Sequence, residues 1–117
     1  MITRETKGRG RARLRARIRR LLERWEPVVG VSVRGWSIVD HEEIEPYLAS
    51  VDVDRATIRF CDQLADEPLD FVEFAVVHEL VHLVLRGTRG HPRRFREAMD
   101  LYLPGWRRYD IRQGRDR

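Results

Sequence analysis

The stretch HELVH, residues 78–82, sets two histidines four positions apart with a glutamate directly after the first. On an α-helix, residues four apart share a face and are separated by about 6 Å of rise. His78 and His82 can therefore aim imidazole nitrogens at one atom. Zinc takes neutral imidazole at about 2.0–2.1 Å and favours a tetrahedron, so the pair supplies two of three protein ligands and leaves a fourth position for water. Glu79 is turned about 100° from His78. That keeps it out of the same tetrahedron but within reach of the water, which is the general-base geometry of H-E-x-x-H hydrolases. The alternative is two ordinary core histidines. The helix that carries them is apolar nearly all round, and burying three polar side chains there unpaired would cost several kcal/mol. A metal and its water relieve that cost, which favours zinc.

The third ligand is less constrained. His91 follows Gly87 and Gly90, which let the chain turn back sharply, and it precedes Pro92 at the expected start of a helix. Its side chain is then expected to face His78 and His82. Glu97, further along that helix, is the rival, since a carboxylate ligates zinc equally well.

The segment VVHELVHLVLRGTRGHPRRF, with the later LYLPGWRR, resembles the YgjP-like metallohydrolases, whose pattern is H-E-L-x-H-L, then N-H-S-x-x-F-W, then P-x-W. Phe95, Pro104 and Trp106 match beyond the five-residue motif. The resemblance covers about residues 70–108 and implies a zincin-like fold, a divalent zinc, His78, His82 and His91 as ligands, and Glu79 as base. The chain departs from the pattern in three places. Eight residues separate His82 from His91 where the family has five, Gly90 and Pro92 replace Asn and Ser, and the upstream Arg-Trp-Gly-Ser appears as RGWS at 34–37. The chain is also as short as the minimal gluzincins, whose third ligand is glutamate, so His91 and Glu97 both remain open.

These residues must be positioned by a small scaffold. A chain of 117 residues fits one domain with a single core. A charged fraction of 36% and a mean hydropathy of −0.54 indicate a soluble protein, and no apolar run reaches the length of a membrane span. Cys61 is the only cysteine and no secretory signal is visible, so a reducing cytoplasm is the expected compartment. The net charge of +4 is uneven. Residues 1–24 hold nine Arg and one Lys against two Glu, residues 25–85 three Arg against thirteen acids, and residues 86–117 ten Arg against four acids. The basic ends either pack on the acidic middle or give residues 11–24 a weak contact with nucleic acid or another polyanion.

Residues 1–10 read as a flexible terminus and 11–117 as one zincin-like domain. Leu14, Ile18, Leu21, Leu22 and Trp25 form one apolar stripe on a helix that Pro27 is expected to stop. Residues 28–39 suggest a bent strand or hairpin, 40–54 a loop, and ATIRF (56–60) a strand, a candidate edge strand for pairing with an extended peptide. Residues 71–86 form the central helix and 91–103 an amphipathic one. The expected fold is thus α+β, a minimal zincin-like domain with a small twisted sheet packed on the central HExxH helix, flanked by N- and C-terminal helices. The expected activity is a zinc metallopeptidase acting on a peptide or protein. A nucleotide phosphoanhydride hydrolase on the same site and a basic, zinc-stabilised nucleic-acid-binding module are the alternatives. Tyr102 and Tyr109 are weighed as oxyanion donors, against the plainer reading of packing residues.

Overall fold

The computed structural model describes residues 4–43, 48–86 and 92–109, with side chains described from residue 9 onward. Helix α1 spans Arg4–Val29. Its stripe is buried as the spacing requires, with Leu14, Ile18, Leu21, Leu22 and Trp25 all in the core. The helix begins at Arg4, inside the segment 1–10 that the sequence sets apart as a terminus. Glycine lowers helix propensity, but extending an existing helix is far easier than nucleating one. Gly10 also lies against Ala65, where a Cβ would sit 3.8 Å away.

Pro27 does not end α1 either. Close to the helix end it removes only one hydrogen bond, and the chain leaves the helix at Gly30, whose φ is 86°. There the amides of Gly30 and Val31 both donate to the Glu26 carbonyl, at 2.9 and 3.2 Å. A side chain at that φ would add about 1–2 kcal/mol of strain, so glycine sets the stop. The Glu26 carboxylate then accepts from the Val33 amide at 3.0 Å, seating buried Val33 without a strand.

Consequently residues 28–39 are neither a bent strand nor a hairpin. Gly35, at φ 82°, makes a turn, and strand β1 starts only at Ser37 and runs to Glu42. Strand β2, Ala49–Asp52, occupies part of the expected loop, and β3 covers Thr57–Cys61. The sheet order is β1-β3-β2. β1 pairs parallel to β3 with Ile38 opposite Ile58, and β2 pairs antiparallel with Val51 opposite Ile58. ATIRF is therefore the central strand. Both of its edges are taken, so it cannot receive a peptide as an edge strand. Ile58 and Phe60 point into the core, as alternation demands.

A short 3-10 turn, Asp62–Asp66, buries Leu64 and leads to Pro68. Helix α2, Leu69–Val84, follows, with the amides of Phe71 and Val72 donating to the Pro68 carbonyl. α1, α3 and β2 all pack on α2, which is why the helix is largely buried between Phe71 and Leu83 and apolar on most of its faces there. Helix α3 spans Pro92–Tyr102 and begins at the expected proline, buries Phe95 and Met99, and is followed by buried Trp106. Basic α1 meets the acidic middle of the chain directly. Arg15 grips Asp40 of β1, and Arg24 and Trp25 converge on Glu73 of α2. No helix among the described residues is long and apolar enough to cross a membrane.

Candidate active site

α2 brings the motif together as its spacing implies. His78 and Glu79 are 0% exposed and His82 is part-buried. The two imidazole rings meet edge to face, with centroids 4.6 Å apart at 80°. Phe95 of α3 stacks on His82 at 4.3 Å and meets His78 edge-on at 4.9 Å. Phe74, one turn before His78, covers that ring's other side at 5.2 Å, and Trp106 backs Phe95 at 6.0 Å. The rings are thus fixed by apolar neighbours that keep water away and lower the local dielectric.

Glu79 Oε2 lies 3.0 Å from His78 Nδ1. An ionised carboxylate only accepts, so with Glu79 ionised this contact places the His78 proton on Nδ1 and the lone pair on Nε2. That is the tautomer a metal-binding histidine needs, held by the carboxylate–imidazole contact typical of such ligands. Two imidazoles in contact on one helix face, one of them held by a carboxylate, form a donor set that fits zinc.

Among the described residues no third His, Cys, Asp or Glu completes a metal-holding cluster with them. His91 lies outside the described residues. Glu97, the alternative third ligand, is turned to solvent with 61% of its side chain exposed, where it accepts a 2.9 Å hydrogen bond from Arg93 Nε. Its position on α3 points it away from the histidines.

The tyrosines are placed by packing. Tyr102 meets Trp25 edge-on at 6.3 Å, and Tyr109 lies over Phe71 and Phe74. The Tyr109 hydroxyl donates to Asp70 at 2.8 Å, which raises its pKa above the usual phenol value, burial and the Asp70 charge adding to the effect. Cys61 is buried at the end of β3 with its thiol 3.7 Å from Asp62, consistent with a packing residue. Sequence reasoning missed the role of Phe74. Its signal was available, since Phe74, His78 and His82 recur every four residues on one face.

A histidine pair and a glutamate on a buried helix, beside a small mixed sheet, define a zincin-like metallopeptidase fold. The chain belongs to the YgjP-like family: the family's model, described as a YgjP-like metallopeptidase domain, matches residues 2–112. Two solved structures share the fold. The metallopeptidase zymogen abylysin of Pyrococcus abyssi is 21% identical, with 81% of this chain and 90% of that chain covered and a TM-score of 0.67. The metallopeptidase zymogen jannalysin of Methanocaldococcus jannaschii is 14% identical over 81% of this chain and 83% of that chain, with a TM-score of 0.64. No curated protein matches the chain. The family makes the protein a metallopeptidase-type hydrolase and implies a metal cofactor and a peptide or protein substrate. Neither the family nor the fold supports the nucleic-acid-binding alternative.

Proposed function

We propose that the protein is a zinc-dependent peptidase in which His78, His82 and His91 hold the metal and Glu79 handles the proton. The observation that carries this reading is the contact of the two imidazoles, 4.6 Å between centroids, with Glu79 Oε2 3.0 Å from His78 Nδ1. Bound there, zinc would supply Lewis acidity, polarising a peptide carbonyl and drawing the pKa of water toward 7. Glu79 takes the proton of the attacking water and returns it to the leaving amine. Its contact with His78 uses one of roughly four lone-pair positions on the carboxylate, so orienting the imidazole and accepting a proton are compatible. Phe74 and Phe95 hold both rings still while this happens.

The substrate strand is expected at β2 rather than β3. β2 is an outer strand of the sheet and packs beside α2, so an extended peptide paired along it would run next to the histidines. Elemental analysis tests the metal assignment: about one zinc per chain is expected. His91→Ala should remove most of it and Glu97→Gln little. If Glu97→Gln empties the protein and His91→Ala leaves it loaded, the third ligand is the glutamate and the proposed set is wrong.

A further inference from the structure

The histidines share their end of α2 with a second feature that their chemistry does not use. An open groove of about 800 Å³ is lined by β2 and the turn after it (residues 50–55), by Arg59 of β3 and by Arg86. Arg86 stands four residues beyond His82, one turn past it, where the chain has just left the helix. Through Arg86 the groove reaches the end of the helix that carries the histidine pair, and it runs along β2, the strand proposed to pair with substrate.

Its charges are not equivalent. Arg55, Arg59 and Arg86 line it together with Asp52 and Asp54. Arg55 has Asp52 at 3.8 Å, and Arg59 has Glu42 at 3.5 Å, so both are already balanced, if loosely. Arg86 differs. Its Nη1 donates to the Leu83 carbonyl at 3.0 Å, which anchors the side chain, and it takes part in none of the ion pairs of the described residues. An anchored guanidinium keeps further donors in a planar fork, the geometry that binds a carboxylate through two parallel hydrogen bonds. Anchoring also means that less side-chain freedom is lost on binding.

The geometry points to a specificity subsite: Arg86, the one guanidinium of the groove without an ion pair among the described residues, receives a carboxylate of the peptide substrate. This rests on the peptidase reading above and adds the class of substrate, an extended peptide carrying an acidic side chain or its own C-terminal carboxylate near the scissile bond. Lysine or arginine at that position would meet the Arg86 guanidinium and be disfavoured.

A positional peptide set decides it. Otherwise identical peptides carry Glu, Gln or Lys at each position in turn, with free or amidated C-termini, and are given to the zinc-loaded full chain. One position, or the free terminus, should show Glu over Gln by about tenfold or more in kcat/KM, the size expected of charge-assisted hydrogen bonds. An amidation effect without a side-chain effect identifies the terminal carboxylate as the ligand. Arg86→Gln should collapse the Glu-to-Gln ratio toward one, Arg86→Lys should lower it in part, and Arg86→Glu should turn the preference toward Lys. Binding of the same peptides to the Glu79→Gln protein, followed by fluorescence anisotropy, reads the subsite without turnover. Equal affinity for Glu and Gln peptides at every position and for both termini overturns the subsite, whatever is cleaved. Selective binding that depends on Arg86, with no peptide cleaved by the natural chain, upholds the groove and counts against the peptidase reading alone.

Discussion

Two buried carboxylates in this protein are treated in opposite ways. Asp40 of β1 uses both oxygens on Arg15 of α1, Oδ1 accepting from Nη2 at 3.0 Å, while the same nitrogen reaches the Ile38 carbonyl at 3.0 Å. The bond to Asp40 raises the Arg15 pKa against the opposing effect of burial, with the charge of Asp40 adding to it. This pair joins a helix to a strand 25 residues away and completes its own hydrogen bonding. His78 and Glu79 are neighbours on one helix, so their contact ties no two elements together. A buried polar pair within one helix organises less of the fold than a pair that joins a helix to a strand, and burying it carries a cost. In the proposed function that cost is borne for chemistry.

That contrast can be broken by substitution. The largest effect is expected from joint His78→Ala and His82→Ala replacement. Hydrolysis should fall by 10³ or more and zinc content should approach zero, since removing both imidazoles leaves no site to load; full zinc occupancy would refute the assignment. Glu79→Gln comes next, with a loss of about 10² or more in turnover. The amide oxygen can still accept from His78, so the metal and the melting temperature should be retained. Loss of zinc in this variant would make Glu79 a ligand instead of a base.

The architectural pair should show the reverse pattern. Asp40→Ala should destabilise the protein by about 2 kcal/mol, less than a fully buried pair because the Arg15 side chain keeps 35% of its exposure. Thermal melting should fall by roughly 8 °C with zinc content unchanged. An emptied metal site would mean that the two regions are coupled after all.

The smallest effect concerns the segment behind Phe95. Trp106 Nε1 donates to Asp100 at 2.9 Å, and Arg107 donates to the same oxygen at 2.7 Å. These bonds hold the Asp100 pKa below its ordinary 3.8, the Trp106 bond contributing most. A lowered carboxylate pKa stabilises the fold above the unfolded value and loses that contribution as pH falls through the folded one. Trp106 fluorescence should therefore change below about pH 4, and Asp100→Asn should remove that step. An identical acid transition in the variant would assign it to another group.

How much of this was legible in the sequence depended on how local the determining contact was. α2 and α3 declared themselves because their periodicity and the proline at position 92 lie within the helices themselves. The histidine pair was legible for the same reason. The sheet was not. β1 reaches β3 in parallel past an intervening strand, and β2 is an acidic, half-exposed outer strand whose composition imitates a loop. Gly30 outranked Pro27 as a helix stop because a positive φ at the cap dictates the chain's exit. The exposure of Glu97 depended on which way α3 is rotated, which Phe95 and Met99 decide by burying themselves. The groove at Arg86 gathers residues from two strands and a helix end, a grouping that no window of sequence contains.

The reach of α1 across the chain has a consequence in time. Its Trp25 hydrogen-bonds to Glu73, 48 residues later, and the core that covers its stripe lies largely in α2. At synthesis rates of about 5–20 residues per second, that helix waits roughly 2–10 s for its partner. Throughout that interval Leu14, Ile18, Leu21 and Leu22 have little of their final apolar cover. The arginines between them keep the nascent segment strongly cationic, and mutual repulsion between copies on neighbouring ribosomes opposes their association until α2 arrives.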